Sequence, residues 1–293
     1  SNGFDIGGRI DYVYGTDGPD TQAFGNPPGG NWDQDWDNGN FYGHAIPQAY
    51  GELAYGDLSV KLGHFYSIAG YEVVGATGNF FYSHAFTMYN AEPFTHTGAL
   101  ATYELNENVT LYGGWTKGWD TGFDTWGGDN FLGGITVQLL EDVSLTYTNT
   151  FGKIGFGTNA TGYSHSIVLD VTLTERLNYV LLSDYVDYNG DVVFDEPGQN
   201  AQFRRYSVAQ YLFYEINDCL SAGVRFEWFN AEEDNIFAAG NLPNRSDLYD
   251  LTFGLNYKPC PNFILRPEIR WDQDEDNRIV PVGEDDQLGF GVD

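Results

Sequence analysis

Three features of the sequence predict an all-β chain folded as a transmembrane antiparallel β-barrel of about 14 strands. Short segments alternate apolar and polar residues with period two. The connections between them alternate between very short and long. Aromatic residues make up 17% of the chain beside 37 glycines and one methionine, a mix that favours strands and turns over helices. No run of 18 or more apolar residues is present, so the sequence holds no transmembrane helix.

The strand signal recurs from one end to the other. "FDIGGRIDYVY" sets Phe4, Ile6, Ile10, Tyr12 and Tyr14 against Asp5, Arg9 and Asp11. "VTLYGGWTKGW" sets Val109, Leu111 and Trp115 against Thr110, Tyr112 and Thr116, and "VSLTYTNT" sets Val143, Leu145 and Tyr147 against Ser144, Thr146 and Thr148. "SIVLDVTL", "LSAGVRFEWF" and "FILRPEIRWD" repeat the alternation. Strands are expected over 4–14, 45–55, 58–66, 97–105, 109–119, 131–140, 143–151, 164–173, 177–187, 203–216, 220–229, 248–257, 263–272 and from 287 on. At about 9–11 residues, such segments match a tilted strand crossing a bilayer. Their apolar faces often end in Tyr, Trp or Phe, as an aromatic girdle does.

Short connections fall at 55–57, 106–108, 141–142, 174–176, 217–219 and 258–262. Long ones fall at 15–44, 66–96, 120–130, 152–163, 188–202, 230–247 and 273–286. This rhythm predicts short periplasmic turns and long extracellular loops. No linker or composition break divides residues 1–293, so a single domain is expected. The last segment is too short to span, and the chain ends on Asp293 where outer-membrane barrels commonly end on an aromatic residue. A C-terminal end cut short by a few residues is therefore expected.

The net charge is −29, from 42 acids against 13 bases. Phosphate would be repelled, which excludes nucleic acid as a partner. The long loops carry much of this charge, in "DQDWDN", "DYNGDVVFDEPG", "AEEDN", "DQDEDN" and "GEDD". Asp272, Asp274 and Asp276 alternate like ligands of a hard cation, so Ca²⁺ or Mg²⁺ bridging the loops is one reading and a solvated charge run is the other. No required cofactor is expected. No Ser–His–Asp spacing, phosphate-binding glycine loop or Cys/His zinc pattern is present, and no enzyme is expected.

The segment "GYEVVGATGNFFYSHAFTMYNAEPFTHTG", residues 70–98, breaks the pattern. It is apolar, too irregular for a strand and too punctuated by glycine for a helix. It joins an outgoing strand to a returning one, so it belongs to the outer side, where loops are normally polar. Folded inward it narrows a pore; packed on the rim it is a lid; exposed to a second copy it is a subunit contact. Its constriction candidates are Tyr71, Glu72, Asn79, Phe81, Tyr82, His84, Glu92, Phe94 and His96.

"GHFYSIAGYEVVGATGNFFYSHAF" followed by "EPFTHTG" resembles the signature of the putative β-barrel porin-2 family, the OmpL-like porins of Gram-negative bacteria. Gly63, Phe65, Gly70, Tyr71, Glu72, Asn79, Phe81, Tyr82, Ser83 and Pro93 to Gly98 carry the resemblance, and "LYGGWTKGWDTGFD" fits the same pattern. The resemblance implies a diffusion channel in the bacterial outer membrane. Its partners would be membrane lipid and small hydrophilic solutes and ions, with a homo-oligomer such as a trimer, or a larger outer-membrane complex, as its assembly.

A charge on the lipid face costs ~2–4 kcal/mol at the midplane, so the charged strand residues are expected inside. Arg9, Asp11, Glu52, Lys61, Glu104, Asp170, Arg225, Glu227, Arg266, Glu268 and Arg270 are the pore-lining candidates. The arginines near the closing seam would form a basic wall opposite Glu52 and Glu104, or would pair locally, Arg225 with Glu227 and Arg266 with Glu268. Cys219 and Cys260 lie in short turns on one rim, where a disulfide or two thiols are both open. The functional reading is a passive porin. The alternatives are a substrate-specific channel on the same barrel, a non-transporting surface scaffold, and a soluble aromatic-rich β-protein.

Overall fold

The computed structural model describes residues 3–23, 33, 41–123, 128–155, 160–191, 200–234, 246–274 and 286–292. Its strands are β1 (Phe4–Gly15), β2 (Gly43–Tyr55), β3 (Leu58–Tyr66), β4 (Thr95–Asn106), β5 (Val109–Thr116), β6 (Asp129–Leu140), β7 (Val143–Lys153), β8 (Thr161–Thr174), β9 (Leu177–Asp191), β10 (Asn200–Asn217), β11 (Leu220–Asp234), β12 (Ser246–Cys260), β13 (Phe263–Leu265), β14 (Pro267–Asp274) and β15 (Asp286–Val292). They form one antiparallel sheet in sequence order. β13 and β14 both pair with β12 and are separated by Arg266 alone, so they are two parts of one span. Pro267, which has no N–H to give a ladder, follows the break. Fourteen positions result, as the alternation predicts.

Three of the short turns share one construction. Asn106 Oδ1 accepts from Asn108 N at 2.9 Å, Asn217 Oδ1 from Cys219 N at 3.0 Å and Thr174 Oγ1 from Arg176 N at 3.3 Å. A side chain thus closes the turn that the backbone would otherwise leave open. Each turn then bonds to the next strand: Asp57 O accepts from Glu104 N, Asn108 O from Gln138 N, Asp142 O from Thr172 N, Arg176 O from Glu215 N and Cys219 O from Lys258 N, at 2.7–2.9 Å. This rim is stitched turn to turn.

The outer face is apolar. Ile10, Leu288 and Phe290 are 79%, 74% and 73% exposed, among many large hydrophobic residues like them. Soluble monomers do not present apolar surface on this scale, whereas hydrocarbon covers it at no cost. Aromatic rings gather towards the outer end: Tyr147, Tyr163, His165, Tyr185 and Tyr206 form a chain of ring contacts across β7 to β10.

Strand lengths depart from the expected 9–11 residues: β5 has 8 and β10 has 18. β9 to β12 run on past the apolar belt to present polar residues such as Arg204, which pairs with Asp187 and Glu232. The segment between β3 and β4 is also more regular than expected. It holds a 3₁₀ turn, Ala76–Gly78, and the helix α2 (Phe86–Ala91), while α1 (Asp17–Thr21) follows β1. α2 forms because "HAFTMYNAE" contains no glycine and because a carboxylate from the wall meets its first turn.

Candidate functional site: the inner loop and its wall

The loop from Ser67 to Phe94 lies against the inner face. Gly70 N reaches Ser166 on β8, Glu72 reaches Arg225 on β11, and Tyr82 N reaches Glu268 on β14. A segment that leaves β3 and returns at β4 can touch β8 to β15 only if the sheet curls around it.

The wall receives the loop with both apolar and charged groups. Val180, Leu182, Ala209, Tyr211 and Phe81 form one buried cluster, with Tyr71, Phe80, Val168 and Phe213 against it. Gly223 and Gly254 leave space for the rings: a Cβ would stand 2.5 Å from the Phe80 ring at Gly223 and 3.0 Å from the Phe81 ring at Gly254. At Gly291 a Cβ would stand 3.1 Å from Tyr82. Three consecutive aromatic residues therefore sit over glycines of three strands. Tyr71 packs on Tyr211 with ring centroids 4.9 Å apart.

Arg225 is the centre of the charged contacts and is wholly buried. It donates from Nη1 to Glu72 Oε1 at 3.0 Å and to Ser83 O at 2.8 Å, and from Nη2 to Asp250 Oδ2 at 2.7 Å. Arg270 joins Asp250 at 3.1 Å and Asp272 at 2.6 Å, donates to His84 O at 2.5 Å and lies 4.7 Å from the Phe86 ring centroid. Glu72 also takes Tyr211 Oη–H at 3.0 Å and Ala85 N–H at 3.0 Å, and it faces His84 Nδ1 at 3.1 Å. Burial alone would raise the Glu72 carboxyl, but the Arg225 charge and His84 outweigh it and hold it at about 2.

Two wall carboxylates act as caps for loop backbone. Glu227 accepts from Phe86 N at 2.6 Å and Thr87 N at 2.7 Å, the open donors of α2. Glu268 accepts from Tyr82 N at 2.8 Å and Ser83 N at 3.0 Å. Arg266 donates to Asn79 O at 3.1 Å and to Ala76 O. Within the loop, Asn79 Oδ1 accepts from Val73 N at 2.9 Å and its Nδ2 donates to Val73 O at 2.6 Å. The return to β4 is held by Asp120, whose Oδ1 accepts from Phe94 N at 2.7 Å and Thr95 N at 2.8 Å. Burial pushes the Asp120 carboxyl up to about 7 in spite of these donors.

The eleven pore-lining candidates thus divide. Arg225, Glu227, Arg266, Glu268 and Arg270 grip the loop and are largely buried, so the basic wall expected of these arginines is corrected. Arg225 and Arg266 still feel Glu227 and Glu268, and the hydrogen bonds given for these four side chains reach the loop's carbonyls, N–H groups and Glu72. Arg9, Asp11, Glu52, Lys61, Glu104 and Asp170 lie on the same inner face away from the grip. Arg9 Nη2 pairs with Asp11 Oδ2 at 2.7 Å, and Glu52 stands opposite Lys61 in the ladder. Lys61 Nζ lies 5.0 Å from the Tyr50 ring centroid, and Asp170 accepts from Asn178 Nδ2 at 3.0 Å.

Other expectations resolve as follows. His96 belongs to β4 rather than the loop, with Nδ1 donating to Gly118 O at 3.0 Å. Phe94 packs edge-on against Tyr89. Asp272 bonds Arg270 and Gln287, and Asp274 accepts from Ser246 at 3.2 Å, so both are engaged in the wall. Asp276 lies outside the described residues. Among the described residues no group of three or more His, Cys, Asp and Glu side chains is placed to hold a metal. Cys219 and Cys260 are free thiols; the turn-to-turn bond sets Cys219 opposite Lys258, and Cys260 lies two residues further on, exposed at the end of β12.

Sequence reasoning missed Asp250, Tyr211, Phe80 and Asp120. Their signal was present in part: β9 and β10 are apolar on both faces, with Val180, Leu182, Ala209, Tyr211 and Phe213 inward, and an apolar inner face needs a cover.

A membrane-spanning meander with a long loop held inside it defines the class of outer-membrane barrel channels. The chain belongs to the family described as putative beta-barrel porin-2, OmpL-like, whose model matches residues 1–293. The fold is shared with the outer membrane channel DcaP of Acinetobacter baumannii, 16% identical over 99% of this chain and 80% of that one, with a TM-score of 0.58. It is also similar to an anion-selective porin from Comamonas acidovorans, 10% identical over 85% of this chain and 74% of that one, TM-score 0.55. OmpT of Vibrio cholerae in its trimer form is 12% identical over 81% of this chain and 72% of that one, TM-score 0.53. No curated protein matches the chain.

Proposed function

We propose that the protein is a passive outer-membrane channel for small hydrophilic solutes and ions, with its lumen narrowed by the 66–96 loop. The observation that carries the reading is the grip of β8 to β15 on that loop, with the charged residues of β1 to β4 and Asp170 of β8 left outside the grip. Arg9, Asp11, Glu52, Lys61, Glu104 and Asp170 would line the passage. Four acids against two bases among them, with acidic loops above, favour a mild preference for cations. A homotrimer in the outer membrane is the expected assembly, in keeping with the trimer form described for OmpT.

Single-channel recording in a planar bilayer tests this. Stepwise conductance in KCl is expected, with a reversal potential under a salt gradient of the sign for cation preference. Deleting residues 72–92 should raise the conductance. A folded, inserted barrel that carries no current would overturn the channel reading in favour of a non-transporting scaffold. Unchanged conductance after the deletion would overturn the narrowing.

A further inference from the structure

A cavity of about 340 Å³ lies between the loop and the outer end of β3, walled by Tyr66, Val74, Met88, Pro93 and Phe94 and reached by Glu92. That volume is in the range of small-ligand sites, about 300–1,000 Å³. The walls are mostly apolar and include two aromatic rings. Glu92 is 6% exposed, and its Oε1 has no hydrogen-bond partner among the described residues. Glu72, Glu227, Glu268 and Asp250 each receive donors from the wall or the loop. Glu92 has instead the Asp184 carboxyl beside it, an acid–acid contact bridged by a shared proton, and leaving its other oxygen, Oε1, bare is costly.

The backbone makes room for this carboxyl. Gly70 stands at φ +88°, and a Cβ there would collide with the Glu92 carboxyl oxygens. Burial and the neighbouring Asp184 of β9 push the Glu92 carboxyl well above its ordinary range. Glu72 of the loop and Glu227 of β11 add to that push. From β10, Arg205 is turned to Asn90 O. A positive group entering the cavity would relieve this concentration of acid, and the aromatic walls suit a cation with an apolar body.

We propose that this cavity binds small organic cations, with a primary ammonium held by Glu92 and an aromatic or alkyl body packed on Val74, Met88, Tyr66 and Phe94. The proposal deepens the channel reading by naming a solute class, and it rests on that reading only for the consequence that such a cation slows ion flow.

The test is calorimetry on the purified full chain in detergent with 2-phenylethylammonium, beside bilayer recording with the same probe. Saturable binding is expected, with current block over the same concentrations. Glu92→Gln should weaken binding at least tenfold, and 2-phenylethanol should bind at least tenfold more weakly than the amine. Gln keeps the shape and removes an acid from beside Asp184, so this variant should fold; Val74→Phe, which fills the cavity, is a second variant expected to weaken binding. Binding should also weaken as pH falls and a proton occupies Glu92. Equal binding of amine and alcohol, or affinity unchanged in Glu92→Gln, would overturn the site. A conducting channel that binds no amine overturns the site and leaves the channel; a barrel that binds the amine through Glu92 without conducting keeps the site and overturns the channel.

Discussion

Arg225 is wholly buried and touches Glu72, Asp250 and the Ser83 carbonyl, so it joins loop to wall by charge. Removing one partner of a buried ion pair leaves the others uncompensated and costs about 3–5 kcal/mol. Arg225→Met is therefore expected to lower stability by that order in urea titrations, while Glu72→Gln combined with Arg225→Met should recover part of the loss. The acid limb follows from Glu72. Its carboxyl is depressed from 4.5 to about 2, so its stabilisation is present above 4.5 and is lost as pH falls towards 2. Asp120 has the opposite sign. Its carboxyl is raised from 3.8 to about 7, so its favourable contribution is full below 3.8 and disappears as pH rises through about 7. Asp120→Asn keeps an acceptor for Phe94 N and Thr95 N and carries no charge. Melting temperatures measured from pH 5 to 9 are expected to show a shallower neutral-range slope in that variant.

Among elements, the loop and the strands beneath it form one fitted unit. The glycines of β11, β12 and β15 act as recesses for Phe80, Phe81 and Tyr82. Gly254→Val is expected to push Phe81 off the wall, because overpacking a fitted contact costs about 1–3 kcal/mol. The barrel should still insert, single-channel conductance should become noisier and larger, and protease should cut the loop faster; a conductance trace and digestion rate equal to those of the parent would refute the fit. A second repeated device marks the outer interface. Trp115, Trp228 and Trp271 each donate an indole N–H to an aspartate on the next strand, Asp129, Asp247 and Asp286, at 2.5, 3.0 and 3.0 Å. In each pair the aspartate lies two residues outward of the tryptophan's ladder partner. The ring is thus placed at the membrane surface with its polar edge towards the headgroups, as amphipathic aromatics are in such girdles.

At the scale of the whole molecule, a net charge of −29 sits on a barrel whose outer belt must stay neutral and apolar. The acids therefore concentrate in the loops and on the inner face. Such a field extends about 10 Å at 0.1 M salt and about 3 Å at 1 M. Cation preference is accordingly expected to be strongest in dilute KCl and to decline towards neutrality at 1 M, read from reversal potentials at a fixed concentration ratio. A preference independent of salt would place selectivity in close contacts at the passage and not in the loop field.

The sequence by itself determined the spans, the turns and the two rims. Period two, the aromatic ends and the alternation of short and long connections are local properties, and Asn106, Thr174 and Asn217 close their turns with their own side chains. It also singled out residues 70–98, since an apolar loop among acidic ones needs a dry surface. Which surface, and with which partners, was decided only by the tertiary structure. Arg225, Glu227 and Glu268 each look like half of a local pair in the one-dimensional order, yet each has a partner more than 100 residues away, at Glu72, Thr87 and Ser83. Periodicity fixes the face on which a side chain stands. What it meets across the barrel depends on how the sheet curls and on where the loop comes to rest.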